Sequence, residues 1–570
     1  MTFSRFSNRA VFILVAFMTV VFAACTTGQQ SRLAEPARLG KLGTVAFPAS
    51  CSKHAQKNFL RGVAALHSFW YEVALDEFRE STTIDPDCMM GYWGEAMAHN
   101  HPLWGDPQEI EDARKVLEKI HDTPKLTSRE RAYLQAVKVL YGKGEKPDRD
   151  QAYSAAMEKI FRNYPDDVEA SLFYALSLMG TVRAEDPAGV QIRMRAGAIA
   201  SDIYHKHPNH PGAAHYILHA YDDPEHAAQA LPAARRYAEI APGAPHALHM
   251  PSHIFLQLGM WPEAAASNEA SWAASDQWVK QKNLPISKRD YHGLHWLQYI
   301  YLQQGRYTKA EELLAVMRQS LTEFPKDDPY NLMFGTFTSA SMNAAFVAET
   351  ERWDMAQPLL DIPHMKAEGA QSQGGTSSDP MQAYVVVPRI PAIFIRGLAT
   401  AAQGLRDDQG YMADLTTIRK QQSGAKEPFI AQVVKMTEIQ EVELAAMFNF
   451  AQGHFDDAIH TMKQAAALEE AMPPPSGPPT VIKPPHELFG ELLLRAGRPQ
   501  EAAQRFATSL HRHPNRARSL LGAARAAAKN GDPQGAARAY AQFSRQWQQS
   551  DAKVPELLEA QSYLKRAAAP

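Results

Sequence analysis

The chain has 570 residues, 45% hydrophobic and 21% charged, with a formal net charge of −3. A chain this long exceeds the size at which one hydrophobic core stops growing, so several domains or a repeat array are expected. Balanced charge without a basic run gives no electrostatic basis for nucleic-acid binding, and Ala-Ala pairs with few alternating apolar runs favour helix over strand.

At the N-terminus, Arg5 and Arg9 precede an apolar run from Val11 to Phe22, followed by Ala23-Ala24-Cys25. A basic start, a short apolar core and small residues before the cut predict a secretory signal over residues 1–24. The Phe-Ala-Ala-Cys ending resembles a bacterial lipobox. That resemblance implies lipid attachment at Cys25, an exported protein of the cell envelope or periplasm, and membrane contact only through the anchor. Phe22 stands where the lipobox usually has Leu, so simple cleavage near Ala24 stays open. No later segment approaches the roughly 18 apolar residues of a spanning helix. Residues 25–54 read as a linker.

From residue 55 a set of landmarks recurs. Tyr71, Ala74, Phe78 and Pro86 close a first unit; Gly259, Trp261 and Ala264 recur later, as do Gly305, Tyr307 and Ala310. Gly453, Phe455 and Ala458 follow, then Gly497, Ala502, Phe506 and Pro514, then Gly531, Ala536 and Tyr540. Small residues at helix crossings, glycine at the turn and aromatics on the second helix resemble the tetratricopeptide repeat, a helix-turn-helix unit of about 34 residues. Phrases such as His67-Ser68-Phe69-Trp70-Tyr71 and Pro485-His486-Glu487-Leu488 are similar to a group of exported bacterial proteins of this kind. The resemblance implies an all-α, right-handed solenoid of about ten to twelve units. It divides into a main superhelix over 55–470, a proline-rich linker over 471–485, C-terminal units over 486–550 and a tail over 551–570. Segments 101–128, 180–192 and 366–392 break the period and read as insertions. On this frame Cys51 and Cys88 precede the first helices of the first two units, which brings them near each other. A disulfide is expected, with two buried thiols as the alternative.

The richest chemistry lies in residues 211–300. His215 and His249 are 34 residues apart, and so are His219 and His253. If units open at Pro211, Pro245 and Tyr291, then His215, His219, His246, His249, His253, His292 and His295 fill seven of nine positions on one helical stripe, against 22 histidines in the whole chain. In the family these positions line the concave surface. A single histidine on a helix is more often packed or solvated than a ligand. Seven adjacent imidazoles would repel one another when protonated and desolvate one another when neutral, and a metal relieves both problems. Pairs at i, i+4 can chelate one ion. So many nitrogens exceed one tetrahedral shell, so two ions, or one ion with further histidines around it, are more natural than one saturated site; two clusters of three histidines could hold a coupled copper pair. A thiolate-free nitrogen set suits copper, zinc or iron and argues against magnesium and calcium. Asp222, Asp223 and Asp290 are expected as ligands or as acceptors for imidazole N–H groups, and Tyr299 with Asp222 as the catalytic pair. His205, His207 and His210 read as solvated turn residues, while His67, His99 and His101 read as an extension of the polar lining.

Near the C-terminus Glu487 and Glu491 share a stripe facing Arg518 and Arg525, which predicts charge pairing or a carboxylate-binding site. No phosphate loop, dinucleotide fingerprint, Gly-x-Ser-x-Gly elbow or His-Glu-x-x-His is present. Three readings follow. One is a metal-dependent oxidase, oxygenase or hydrolase with a small molecule or peptide in the groove. The second is a metal carrier or store, and the third a metal-free scaffold for a peptide or envelope protein.

Overall fold

A computed structural model describes residues 40–568 apart from 104–107, 184–185, 187, 362–382, 384, 426–427, 474 and 552–553. The leader, Cys25 and most of the 366–392 segment lie outside the described residues. Among those described there is no strand, and no helix is long and apolar enough to cross a membrane.

Among the described residues each helix packs chiefly on its neighbours in sequence, the helical solenoid that the landmarks predict. Proline occupies the first turn of Pro211–Ala220, Pro245–His249, Pro329–Thr350, Pro485–Arg495 and Pro533–Gln546, where its missing N–H costs no hydrogen bond. Close packing rests on a repeated device. The Phe78 ring nests between Gly62 and Gly94, and a Cβ at either glycine would lie within 2.7 Å of that ring. One repeat set near the other end does the same, with Phe506 against Gly490 and Gly522. Any larger residue at these crossings would push adjacent helices apart.

Cys51 and Cys88 form a disulfide, their Cα atoms 4.5 Å apart. Two segments expected as linker and tail are folded instead. Phe47 is buried against Phe59, Trp93 and Tyr133, so residues 40–52 belong to the body. Pro555–Ala567 is a helix whose Ala560 and Tyr563 pack on the last repeat; its apolar residues recur at helical spacing, which the tail reading overlooked.

The C-terminal units do not stand apart beyond a linker. They fold back onto the histidine-bearing helices. Asn515 Nδ2 donates to Leu258 O (3.3 Å), Trp261 Nε1 to Asn515 O (3.3 Å) and Trp547 Nε1 to Gln303 O (2.9 Å), while Thr308 N donates to Asp551 (2.7 Å). Arg516 is buried at the seam. It donates to both oxygens of Glu487 (2.7 and 2.9 Å), to Glu349 and to the Tyr299 hydroxyl (3.1 Å). The expected charge pairing exists with other partners. Lys483 takes Glu487 and Glu491, Arg518 takes Glu351 and Glu556, and Arg525 takes Glu559. Each charge is thus answered from within the fold.

Candidate metal centre

Pro211–Ala220 carries His215 and His219 one turn apart. The next stripe falls on two short helices, Pro245–His249 and Pro251–Gln257, because Pro251 cannot donate to Ala247 and interrupts the ladder. Met250 keeps helical dihedrals (φ −54°, ψ −34°), so His246, His249 and His253 still face one side. Tyr291–Gln303 contributes His292 and His295.

Six of these seven histidines meet as two sets of three. His215, His219 and His246 offer one nitrogen each within 4.8 Å of one another, and His249, His253 and His292 do the same. His215 Nε2 and His246 Nε2 are 3.2 Å apart, and His249 Nε2 and His253 Nε2 are 3.0 Å apart. Two nitrogens bound about 2.0–2.1 Å from one tetrahedral ion lie about 3.3 Å apart, so the spacing fits shared coordination. The sets adjoin, with ring centroids 6.3 Å apart for His219 and His253 and 6.0 Å for His246 and His249.

Partners on the far side of three rings fix which nitrogen faces inward. His215 Nδ1 donates to the His67 carbonyl (2.7 Å), an acceptor only, which leaves Nε2 bare. Asn268 Nδ2 donates to Ala264 O, so its Oδ1 accepts from His249 Nδ1 (2.6 Å). His253 Nδ1 meets Asp222 Oδ2 at 2.6 Å. Outer hydrogen bonds of this kind set the tautomer and aim of metal-binding imidazoles. His219 Nε2 is buried without a partner among the described residues, a cost of about 1–3 kcal/mol that coordination would remove.

Burial along the stripe is uneven: His215 and His249 are 0% and 1% exposed, whereas His219 and His246 are half-buried and His292 is exposed. Phe69 lies over the first set, stacked on His219 and His246 at 5.5 and 5.7 Å and edge-on to His215 at 4.5 Å. It does so with φ of +51°, a strained conformation for a bulky residue. Trp296 flanks the second set, 4.1 Å from the His253 ring and 5.0 Å from His249, and Gly477 of the proline-rich segment sits against its edge. Burial pushes the pKa of His215 and His253 down to about 3 and that of His249 to about 4, and it lowers His219 and His246 well below 6.5. These rings are therefore neutral at pH 7, the ligand form. Burial also raises the Asp222 carboxyl well above its ordinary range.

His295 and Tyr299 fall elsewhere. Both line a separate cavity of about 300 Å³, and His295 belongs to neither set. The Tyr299 hydroxyl is tied to Arg516, and burial raises its pKa. Asp222 orients His253, Asp290 caps its own helix at Gly293 N (2.8 Å), and Asp223 takes His226. His99 pairs with Glu109 and His101 packs on Tyr71.

One cluster was missed. His67 Nε2 and His210 Nε2 both bond the Glu169 carboxylate, at 2.6 and 2.9 Å, and His67 Nδ1 meets the Tyr216 hydroxyl at 2.8 Å. All three are buried. Burial favours the neutral acid, yet His67 and His210 hold Glu169 down at about 2. His210 is thus not a solvated turn residue, and His67 acts through its carbonyl on His215. The turn phrase His67-Ser68-Phe69 was the only sequence signal, and Asn268, 19 residues from its histidine, had none.

Residues 488–551 match a family model of the tetratricopeptide repeat. No curated protein matches the chain. Among solved structures, human IFIT1 with m7Gppp-AAAA is 13% identical over 87% of this chain and 90% of its own, at a TM-score of 0.32. Yeast Tom70 is 13% identical over 90% and 96% at 0.32. The P58(IPK) TPR domain is 15% identical over 71% and 100% at 0.20. Values this low say nothing of what the chain binds.

Proposed function

We propose that this tetratricopeptide-repeat solenoid holds two transition-metal ions, one in each three-histidine set, and uses them as a metal-dependent enzyme on a small molecule. The observation that carries the reading is the pair of sets, with outer partners that turn Nε2 of His215, His249 and His253 inward. Nitrogen-only donors suit copper first, then zinc or iron. When bound, such ions supply a Lewis acid or a one-electron couple at an open coordination position. Three protein ligands per ion leave that position free, and a cavity of about 790 Å³ reaches His219, His246, His253 and His292, which favours turnover over storage. Phe69 and Trp296 cover much of the histidine stripe, which favours a small molecule over a peptide there. A leader ending in Cys25 and a disulfide between Cys51 and Cys88 support export to an oxidising compartment with a lipid anchor.

Elemental analysis of protein purified from its native host tests this directly. Two equivalents of copper, zinc or iron per chain, with nitrogen-only first neighbours in X-ray absorption, are expected. Protein that neither carries nor takes up a transition metal at pH 7 would overturn the reading.

A further inference from the structure

The cavity of about 790 Å³ beside the second set falls within the range of small-molecule sites, and its wall is specific. Trp296 is 4% exposed and flush against His253, so its indole is fixed in place. Phe334 lines both this cavity and the smaller one behind it. Tyr291 and Phe324 add a tilted pair at 5.1 Å. The acidic groups at the wall are already engaged, Asp222 by His253, Asp223 by His226 and Asp290 by Gly293 and Ser271. A cationic ligand therefore finds no free carboxylate. Two donors do lack acceptors. The Ser287 hydroxyl and Arg289 Nε–H are buried with no hydrogen-bond partner among the described residues, and both residues line the cavity. Arg289 keeps its charge partly answered by Asp276 through Nη2 (2.7 Å), leaving Nε for a second oxygen.

We propose that this cavity binds an aryl carboxylate, with its ring against Trp296 and Phe334 and its carboxylate accepting from Ser287 Oγ and Arg289 Nε. The inference rests on the metal reading only for what happens to the ligand afterwards; the binding itself uses protein groups alone. Aromatic faces select a flat ring over a saturated one, and charge-assisted hydrogen bonds select an anion over an alcohol. Trp296 itself adjoins His253 and His292, with ring centroids 4.1 and 5.4 Å away.

Calorimetric titration of the metal-free full-length protein with 4-hydroxycinnamate, cyclohexanepropanoate and cinnamyl alcohol tests it. The aryl carboxylate should bind about tenfold more tightly than either comparison compound. Phe334→Ala should weaken it about tenfold, and Ser287→Ala should weaken the carboxylate while leaving the alcohol unchanged. Trp296→Phe serves as a second reporter, since it should abolish any ligand-dependent change in tryptophan emission while preserving the helical spectrum. No heat with 4-hydroxycinnamate, equal affinity for the saturated acid, or indifference to both Phe334→Ala and Ser287→Ala would overturn the proposal. Metal content measured on the same preparation separates the two readings. Two bound equivalents without ligand binding sink this inference alone, and ligand binding without metal uptake sinks the metal reading alone.

Discussion

Replacing His219 by Ala should remove one ion and leave the other. His219 belongs only to the first set, and its Nε2 has no other partner, so the substitution breaks no hydrogen bond on that atom. Its ring packs on Phe69 and lies 4.6 Å from His215, and the lost contacts should cost about 1–2 kcal/mol of stability. The effect on metal is larger. Four-ligand structural zinc sites are worth about 10–16 kcal/mol, or about 3 kcal/mol per ligand, and 1.4 kcal/mol is a factor of ten. Affinity at the first position should fall about a hundredfold, while the second set of His249, His253 and His292 keeps all its donors. After dialysis against a competing chelator, the variant should retain one equivalent where the parent retains two, with an unchanged circular dichroism spectrum. Retention of both ions, or loss of both from a folded variant, would refute the division into two independent three-histidine sets.

Asp222→Asn should weaken the second position about 10–100-fold and spare the first, because among the six converging histidines Asp222 bonds His253; equal weakening at both positions in chelator competition would count against the orienting role. Acid should destabilise the metal-free protein. His215 and His253 stay neutral when folded, near 3, but regain about 6.5 when unfolded, so the unfolded chain binds more protons below pH 6.5. Their contribution is complete above 6.5 and is lost as the pH falls towards 3, at about 1.4 kcal/mol per pH unit for each such histidine. Urea titrations at pH 7 and pH 5 should differ accordingly, and identical midpoints would contradict the burial argument. Cys51→Ser with Cys88→Ser opens a loop spanning a separation of 37 residues, which should lower stability by about 3–4 kcal/mol; an unchanged melting temperature would show that the cross-link constrains nothing.

The helical repeat and the six converging histidines were legible because both are periodic. Spacings of three or four residues define a helix face, and a 34-residue step stacks one face beside the next. What encloses the site is not periodic. Phe69 reaches the first set through a turn residue with positive φ, which no propensity for phenylalanine predicts. Asn268 and the His67 carbonyl act across helix pairs, and Gly477, Arg516 and Asn515 arrive from more than 180 residues away in sequence. Tyr299 looked catalytic because it continues the histidine stripe. It lies one turn further along the same helix, where Arg516 meets its hydroxyl. The burial of His215 and His249 was hidden for the same reason, since local pattern carries no information about where a distant segment returns.

That return imposes an order of construction. All six converging histidines are in hand by residue 292, whereas Gly477, which sits against Trp296, and Asn515, Trp547 and Asp551, which bond Leu258, Gln303 and Thr308, are made much later. Contacts spanning so much of the chain close slowly compared with neighbouring helix pairs. A half-made chain thus presents the histidine helices without these later contacts. Opening of the last-made units from Leu258, Gln303 and Thr308 is therefore expected before neighbouring helix pairs separate.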